Sequence, residues 1–287
     1  MRRFVPSGPL SLRLGNQVFD VTARALVMGI LNRTKDSFFA PAATYDLDAF
    51  FARAEQLVNE GADLLDVGGV KAGPGEEVTA AEELDRVVPV VAELHRRFDI
   101  PISVDTWRAT VAKACFAEGA VVGNDISCFA DPEYLAVAAA AEATVVATHI
   151  RLRPRVADPS PHYDDVTLAV RDFLIERRGR AEAAGVARDR IILDAGFDLG
   201  KTAAHSLTLL RDSVVLAELG SPLLLSASNK TFLGVMFDLP VTERREVSLA
   251  SSAVGIMGGG RILRVHDVAG TVRVRDTLAT LLEASYD

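Results

Sequence analysis

Eight side chains able to hold charge or to read an amide edge stand at or just beyond the ends of short apolar runs: Asn32, Asp105, Asn124, Asp194, Lys201, Lys230, Arg264 and His266. Asp105, Asn124, Asp194 and Lys230 together supply acceptors, an amide and a cation. Such a set suits a flat heterocycle with N–H, NH2 and C=O groups along its edge, because a carboxylate can accept two parallel bonds from a guanidine-like edge. The planar, weakly hydrated guanidinium of Arg264 could stack on the ring face. Asn32, His266 and the loops after the last two apolar runs could take an anion, with Lys201, Lys230 and Arg264 concentrating positive charge there. The pattern predicts a small planar nitrogen heterocycle carrying a phosphate-like group.

Each residue alone has a plainer use. Asp105 or Asp194 could be a helix N-cap, and Asn32 or Asn124 a turn residue. Lys201 and Lys230 could be solvated, Arg264 could pair with a structural carboxylate, and His149 and His266 could be satisfied histidines at strand ends. No carboxylate stands at metal spacing from either histidine, which argues against a tight His-based metal site. It is the recurrence of such residues at one apolar run after another that carries the functional reading.

The elements that must position them alternate regularly. Strand patterns fall at 25–31, 63–67, 102–104, 120–123, 144–148, 191–193, 223–226 and 262–264. Helical patterns fall between them at 47–60, 79–98, 107–118, 132–141, 166–184, 203–219, 242–255 and 268–284. Eight strands alternating with eight helices predict a single (β/α)8 barrel, whose chemistry sits at the carboxyl ends of the strands. A doubly wound sheet is the competing fold, but the Gly-x-Gly-x-x-Gly turn after the first strand is missing. Ahead of the barrel, residues 10–21 contain Gly15-Asn16 between apolar runs and read as a hairpin. The chain is thus divided into a hairpin extension, 1–24, and a barrel, 25–287.

Composition limits the partners. The 287 residues are 49% hydrophobic and 24% charged, with a net charge of −8, which fits a globular domain and argues against a nucleic-acid or anionic-membrane surface. Two cysteines, Cys115 and Cys128, cannot build a disulfide framework and read as small buried side chains. With no signal-like start and no span of about 20 apolar residues, a soluble cytoplasmic protein is expected.

The strand ends resemble those of the dihydropteroate synthases. The matching segments are Met28-Gly29-Ile30-Leu31-Asn32-Arg33-Thr34-Lys35-Asp36-Ser37-Phe38, Gly61-Ala62-Asp63-Leu64-Leu65-Asp66-Val67-Gly68-Gly69 and Ser103-Val104-Asp105-Thr106. They continue with Asn124-Asp125-Ile126-Ser127, Gly200-Lys201 after Asp194, Ser228-Asn229-Lys230-Thr231-Phe232-Leu233-Gly234 and Arg264-Val265-His266-Asp267-Val268. The resemblance implies a barrel that condenses 6-hydroxymethyl-7,8-dihydropterin diphosphate with p-aminobenzoate or a related aromatic amine, releasing pyrophosphate with the help of Mg²⁺. It implies that Asp105, Asn124, Asp194 and Lys230 hold the pterin, that Arg264 packs on it, and that Asn32 and His266, with Arg264, hold the diphosphate or its magnesium, Asn32 being the expected metal ligand. Asp105 and Lys230 are the expected catalytic residues. The resemblance also implies a homodimer through helices after the later strands, and the small-residue segment 247–260 would permit close packing there.

The chain departs from the family pattern where the amine would bind. The second loop usually reads Ser-Thr-Arg-Pro-Gly, whereas here it is Val70-Lys71-Ala72-Gly73-Pro74-Gly75, without hydroxyl or arginine. Ser-Arg-Lys has become Ser228-Asn229-Lys230, Asp-Pro-Gly-x-Gly-Phe has become Asp194-Ala195-Gly196-Phe197-Asp198-Leu199, and Met-His has become Thr148-His149. Two readings follow: a working synthase-type transferase, or a pterin-binding paralogue with weak or no synthase activity. A pterin-dependent methyl-transfer barrel is a third, but the sequence offers no recognisable surface for a corrinoid-protein partner.

Overall fold

The computed structural model describes residues 4–6, 8–33 and 47–283; residues 34–38 of the first matched segment, and 284 of the expected last helix, lie outside them. Strands β1 (Ser11–Leu14) and β2 (Gln17–Asp20) form the antiparallel hairpin, turning at Gly15 with φ 58°, a conformation that glycine adopts without steric cost. Leu12, Leu14 and Val21 pack with Leu26, Met28 and Leu64 of the barrel interior. The hairpin therefore plugs the barrel floor, opposite the end where the strands' carboxyl termini emerge.

Eight parallel strands then close into one barrel in chain order: β3 (Leu26–Asn32), β4 (Leu64–Gly68), β5 (Ile102–Asp105), β6 (Val122–Asp125), β7 (Thr144–Thr148), β8 (Ile191–Asp194), β9 (Leu223–Leu225) and β10 (Gly260–Val265), with β10 pairing back onto β3. The (β/α)8 expectation holds, and each strand lies within a few residues of its expected place. The largest shift is β6, which begins two residues late and so brings Asn124 and Asp125 into the strand itself.

The surrounding helices are α1 (Leu47–Asn59), α2 (Ala80–Arg97), α3 (Ala109–Ala117), α4 (Tyr134–Ala140), α5 (Val166–Ala183), α6 (Ala203–Arg211), α7 (Ser213–Ala217), α8 (Thr231–Phe237), α9 (Arg245–Met257) and α10 (Val268–Glu283). Their apolar faces meet outward strand residues such as Val27, Leu65, Val104 and Val145 in one continuous core. Two differences from expectation concern the later helices. The pattern at 203–219 is split at Asp212, where the Ser213 hydroxyl donates to the Leu210 carbonyl at 3.0 Å, a local bond of the kind that competes with the helical ladder. The short α8, directly after Lys230, carries no clear apolar period and was not expected.

The small residues of 247–260 are used inside the chain. A Cβ on Gly255 or Gly260 would come within 2.3 Å of the Leu225 Cδ1, and one on Gly258 would meet the Ser213 hydroxyl at 2.1 Å. Close packing is realised between α9, α7 and β9, so these glycines offer no separate argument for a subunit contact. Both cysteines are free and buried, as expected. Among the described residues no helix is long and apolar enough to cross a membrane.

Candidate functional site

Side chains alternate along a strand with period two, and in this barrel that alternation separates oil from charge. Leu64, Val122, Ile192 and Ile262 point inward on β4, β6, β8 and β10. Two residues on, the same strands point Asp66, Asn124, Asp194 and Arg264 into the barrel. Alternate strands supply one layer of a closed barrel, so this polar layer caps an interior that is largely apolar below it.

Arg264 crosses that polar layer. Its Nε donates to Asp66 Oδ2 at 2.6 Å and its Nη2 to Asp105 Oδ2 at 2.8 Å. Asp66, fully buried, also accepts from Ser103 Oγ at 2.6 Å and from Asn124 Nδ2 at 3.2 Å. Two carboxylates thus share one guanidinium and fix its plane. Burial opposes charge on Arg264, but Asp66 and Asp105 outweigh it and raise its pKa. Burial pushes Asp105 up to about 7, against the pull of Arg264 and with that of Asp66. Asp66 is the functional residue that sequence reasoning missed. It sat inside a matched segment but reads as strand interior; the available signal was a carboxylate two positions after an inward leucine.

Asp194 closes the far side of the layer. Its Oδ1 accepts from the Gly196 N–H at 2.8 Å, and burial raises its pKa against that bond and the charges of Lys230 and Lys201. Gly196 has φ 65°, and a Cβ there would lie 2.0 Å from the His149 carbonyl oxygen, so only glycine fits this turn. Lys230 precedes α8, and burial lowers its pKa while Asp198, Asp194 and Asp105 oppose the shift.

At the β3–β10 side, Asn32 Oδ1 and the Asp105 carboxylate flank Gly68, each within 3.6 Å of where a Cβ would stand. Ser228 Oγ lies 3.0 Å from His266 Nδ1, the His266 N–H donates to the same hydroxyl at 3.2 Å, and Arg53 Nη2 donates to the His266 carbonyl at 2.7 Å. A cavity of about 480 Å³ opens here, lined by Asn32, Arg53, Ser228, Arg245 and His266 among others. The expected anion-holding residues therefore meet beside the polar layer, save one.

Lys201 is the exception. Its Nζ lies 2.8 Å from His149 Nδ1 and donates to the carbonyls of Gly196 at 2.8 Å, Leu199 at 3.1 Å and His149 at 3.3 Å. An ammonium has three protons, and here four acceptors surround it. The structure does not bring Lys201 together with Asn32 and His266: its amine ties the loop after β8 to the end of β7. The strand-end position was legible, but not the direction of its amine.

The loop after β4 is tied in a similar way. Arg155 donates to the carbonyls of Lys71, at 3.1 Å, and Glu76, and its N–H donates to that of Ala72 at 3.0 Å. Between these loops lies a cavity of about 220 Å³, lined by Ala72, Gly73 and Pro74, by 150–158 in part, and by Asp198, Leu199, Gly200 and Lys201.

The two strand-end histidines are neutral. Burial, then Lys201, lowers His149 to about 3, and burial, then Arg264 and Lys230, lowers His266 to about 4. A folded pKa below the unfolded 6.5 means that their stabilising neutral state is complete above pH 6.5 and lost as pH falls toward 4. Asp105 and Asp125, raised by burial to about 7 and about 6, act with the opposite sign over part of that range, so the ring signals are the clean readout. In an NMR titration both imidazoles are expected to keep neutral-ring shifts at pH 5; titration of either near 6.5 would contradict this arrangement.

The chain is similar to known proteins along most of its length. A family described as pterin binding enzyme matches residues 28–266. The chain is 42% identical over 264 residues to the inactive dihydropteroate synthase 2 of Mycobacterium leprae, covering 90% of this chain and 91% of that protein. It is 39% identical over 269 residues to the dihydropteroate synthase of Synechocystis sp., covering 93% of each. The Yersinia pestis dihydropteroate synthase, solved as a sulfonamide drug complex, superposes with a TM-score of 0.91 at 36% identity, covering 96% of this chain and all of that one.

Proposed function

Because the chain belongs to the pterin-binding enzyme family that contains the dihydropteroate synthases, we propose that it joins 6-hydroxymethyl-7,8-dihydropterin diphosphate to an aromatic amine and releases pyrophosphate. The observation that carries this reading is the polar layer of Asp66, Asn124, Asp194 and Arg264 with Asp105 and Lys230 at its rim. Asp194 and Asn124 read the pterin's donor-rich edge, and Lys230 takes its carbonyl side. Arg264, its plane fixed by two carboxylates, lies against the ring. The diphosphate goes to the side of Asn32, Arg53 and His266.

In the reaction the bond from the pterin methylene to the diphosphate oxygen breaks, and its electron pair leaves on pyrophosphate. The amine's lone pair forms the new C–N bond, and the nitrogen then loses a proton to water. Positive charge develops on the pterin, and the Asp105 carboxylate is placed to stabilise it. No group of three or more His, Cys, Asp or Glu among the described residues could hold a metal by itself. Mg²⁺ keeps waters and is bound through few protein oxygens plus substrate phosphates. Asn32 Oδ1 would be its protein oxygen, and the ion would neutralise charge on the departing pyrophosphate.

A catalytically weak pterin-binding paralogue is the second reading. It is favoured by the second loop without hydroxyl or arginine, and by the M. leprae relative's name. Purified protein with the dihydropterin diphosphate, Mg²⁺ and p-aminobenzoate separates the two. Pyrophosphate release with dihydropteroate formation is expected of the first, and calorimetric binding without turnover of the second. Absence of any pterin binding would sink both. We also propose a homodimer, on family grounds and on the exposed Val235, Met236 and Phe237 of α8, with light scattering as its check.

A further inference from the structure

One carboxylate at the barrel mouth has no place in the account so far. Asp198 stands where the resembling motif has glycine, and it keeps the backbone that glycine would favour, with φ 66°. Its side chain reaches across to the start of α8. There Oδ2 accepts from the Thr231 N–H at 2.6 Å and Oδ1 from the Phe232 N–H at 3.3 Å. Those are the residues immediately after Lys230, and Asp198 is the carboxylate that acts on Lys230 most strongly. Asp198 also lines the cavity of about 220 Å³ between the loops after β4, β7 and β8. Its wall includes Ala72, Gly73 and Pro74 of the second loop, the loop where the family pattern has the groups that meet the amine.

An amine such as p-aminobenzoate brings a carboxylate of its own, which needs donors or cations. Most of the described cationic side chains around this cavity are already engaged. Lys201 is surrounded by carbonyls and His149, and Arg155 holds the loop after β4. Arg151 pairs with Asp158 at 2.5 Å. The N–H groups of Thr231 and Phe232 face Asp198. Arg153 remains at the exposed rim, where an ion pair is screened by water and contributes little. A second carboxylate would therefore find most of these side-chain donors engaged and the like charges of Asp158 and Asp198 beside it.

We propose that Asp198 is a specificity-determining residue: its carboxylate takes the place of the acceptor's, so this site selects an aromatic amine without an anionic group. The inference rests on the pterin-transferase reading and narrows its acceptor.

The test compares p-aminobenzoate with p-aminobenzamide, which has nearly the same shape but no charge. Binding of each is measured by calorimetry to protein saturated with dihydropterin and pyrophosphate, for the natural chain, Asp198→Gly and Asp198→Asn. The natural chain is expected to prefer the amide at least tenfold. Asp198→Gly is expected to gain at least tenfold for p-aminobenzoate while the amide changes less than threefold, with Asp198→Asn between them. Glycine accepts φ 66° without strain, and Asn keeps an accepting oxygen for the α8 N–H groups, so at least one variant preserves the fold. Equal affinity of the natural chain for both amines, an unchanged ratio in Asp198→Gly, or binding of neither amine by any of the three would overturn the proposal. Failure of the dihydropterin itself to bind is read separately, before any amine is added; it overturns the transferase reading and this inference with it.

Discussion

Replacing Arg264 by alanine is expected to abolish dihydropterin binding and to lower the unfolding free energy by about 3–5 kcal/mol, the usual cost of breaking a buried ion pair from one side. The reason lies in what is left behind. Asp66 is fully shielded from solvent, and its carboxylate and that of Asp105 both point at this guanidinium. Without it, two carboxylates face each other in a closed layer, with Ser103 and Asn124 the remaining donors to Asp66 among the described residues. Urea unfolding and calorimetry with dihydropterin measure the two effects. A paired Arg264→Ala, Asp66→Asn variant is expected to recover part of the stability, because one unpaired charge is removed with its partner. A single variant that folds with natural stability would mean that the layer is not organised around this arginine.

The second large effect is on affinity alone. Asp194→Ala and Lys230→Ala, made singly, are expected to weaken dihydropterin binding by about a hundredfold each, roughly 2–3 kcal/mol, as when one partner of a buried charged hydrogen bond is lost. Neither side chain is bound into the Asp66–Arg264–Asp105 group. Asp194 accepts from the Gly196 N–H, and Thr148 Oγ1 lies at a long 3.5 Å, so much of its carboxylate is available to a ligand. Lys230 is held near Asp198, Asp194 and Asp105 without a direct salt bridge among the described residues. Calorimetry on both variants is the measurement; unchanged affinity in both would place the pterin elsewhere. Lys201→Ala serves as the contrast, expected to loosen the loop after β8 rather than to remove a contact with the ligand.

The barrel was legible because parallel strands buried on both faces must be short runs of Val, Ile and Leu, and the helices between them show a 3.6-residue period. Most of the pocket was legible for a related reason: a polar residue directly after such a run has nowhere to be except the barrel mouth. Helix α8 and the break at Asp212 were not legible. The first is too short to show a period, and the second depends on the Ser213 side chain turning back on the Leu210 carbonyl.

By its sequence alone, then, this protein was a (β/α)8 barrel with Asn32, Asp105, Asn124, Asp194, Lys230, Arg264 and His266 at the strand ends. Local alternation and apolar burial suffice for that, since both are properties of neighbouring residues. Only the tertiary structure decided what each charge touches. It set Arg264 between Asp66 and Asp105, 198 and 159 residues away in the chain. It set the Lys201 amine onto His149 and backbone carbonyls. It brought Asp198 to N–H groups 33 and 34 residues further on. A charge in a closed space is worth what its nearest partners make it, and those partners become neighbours only when the barrel closes.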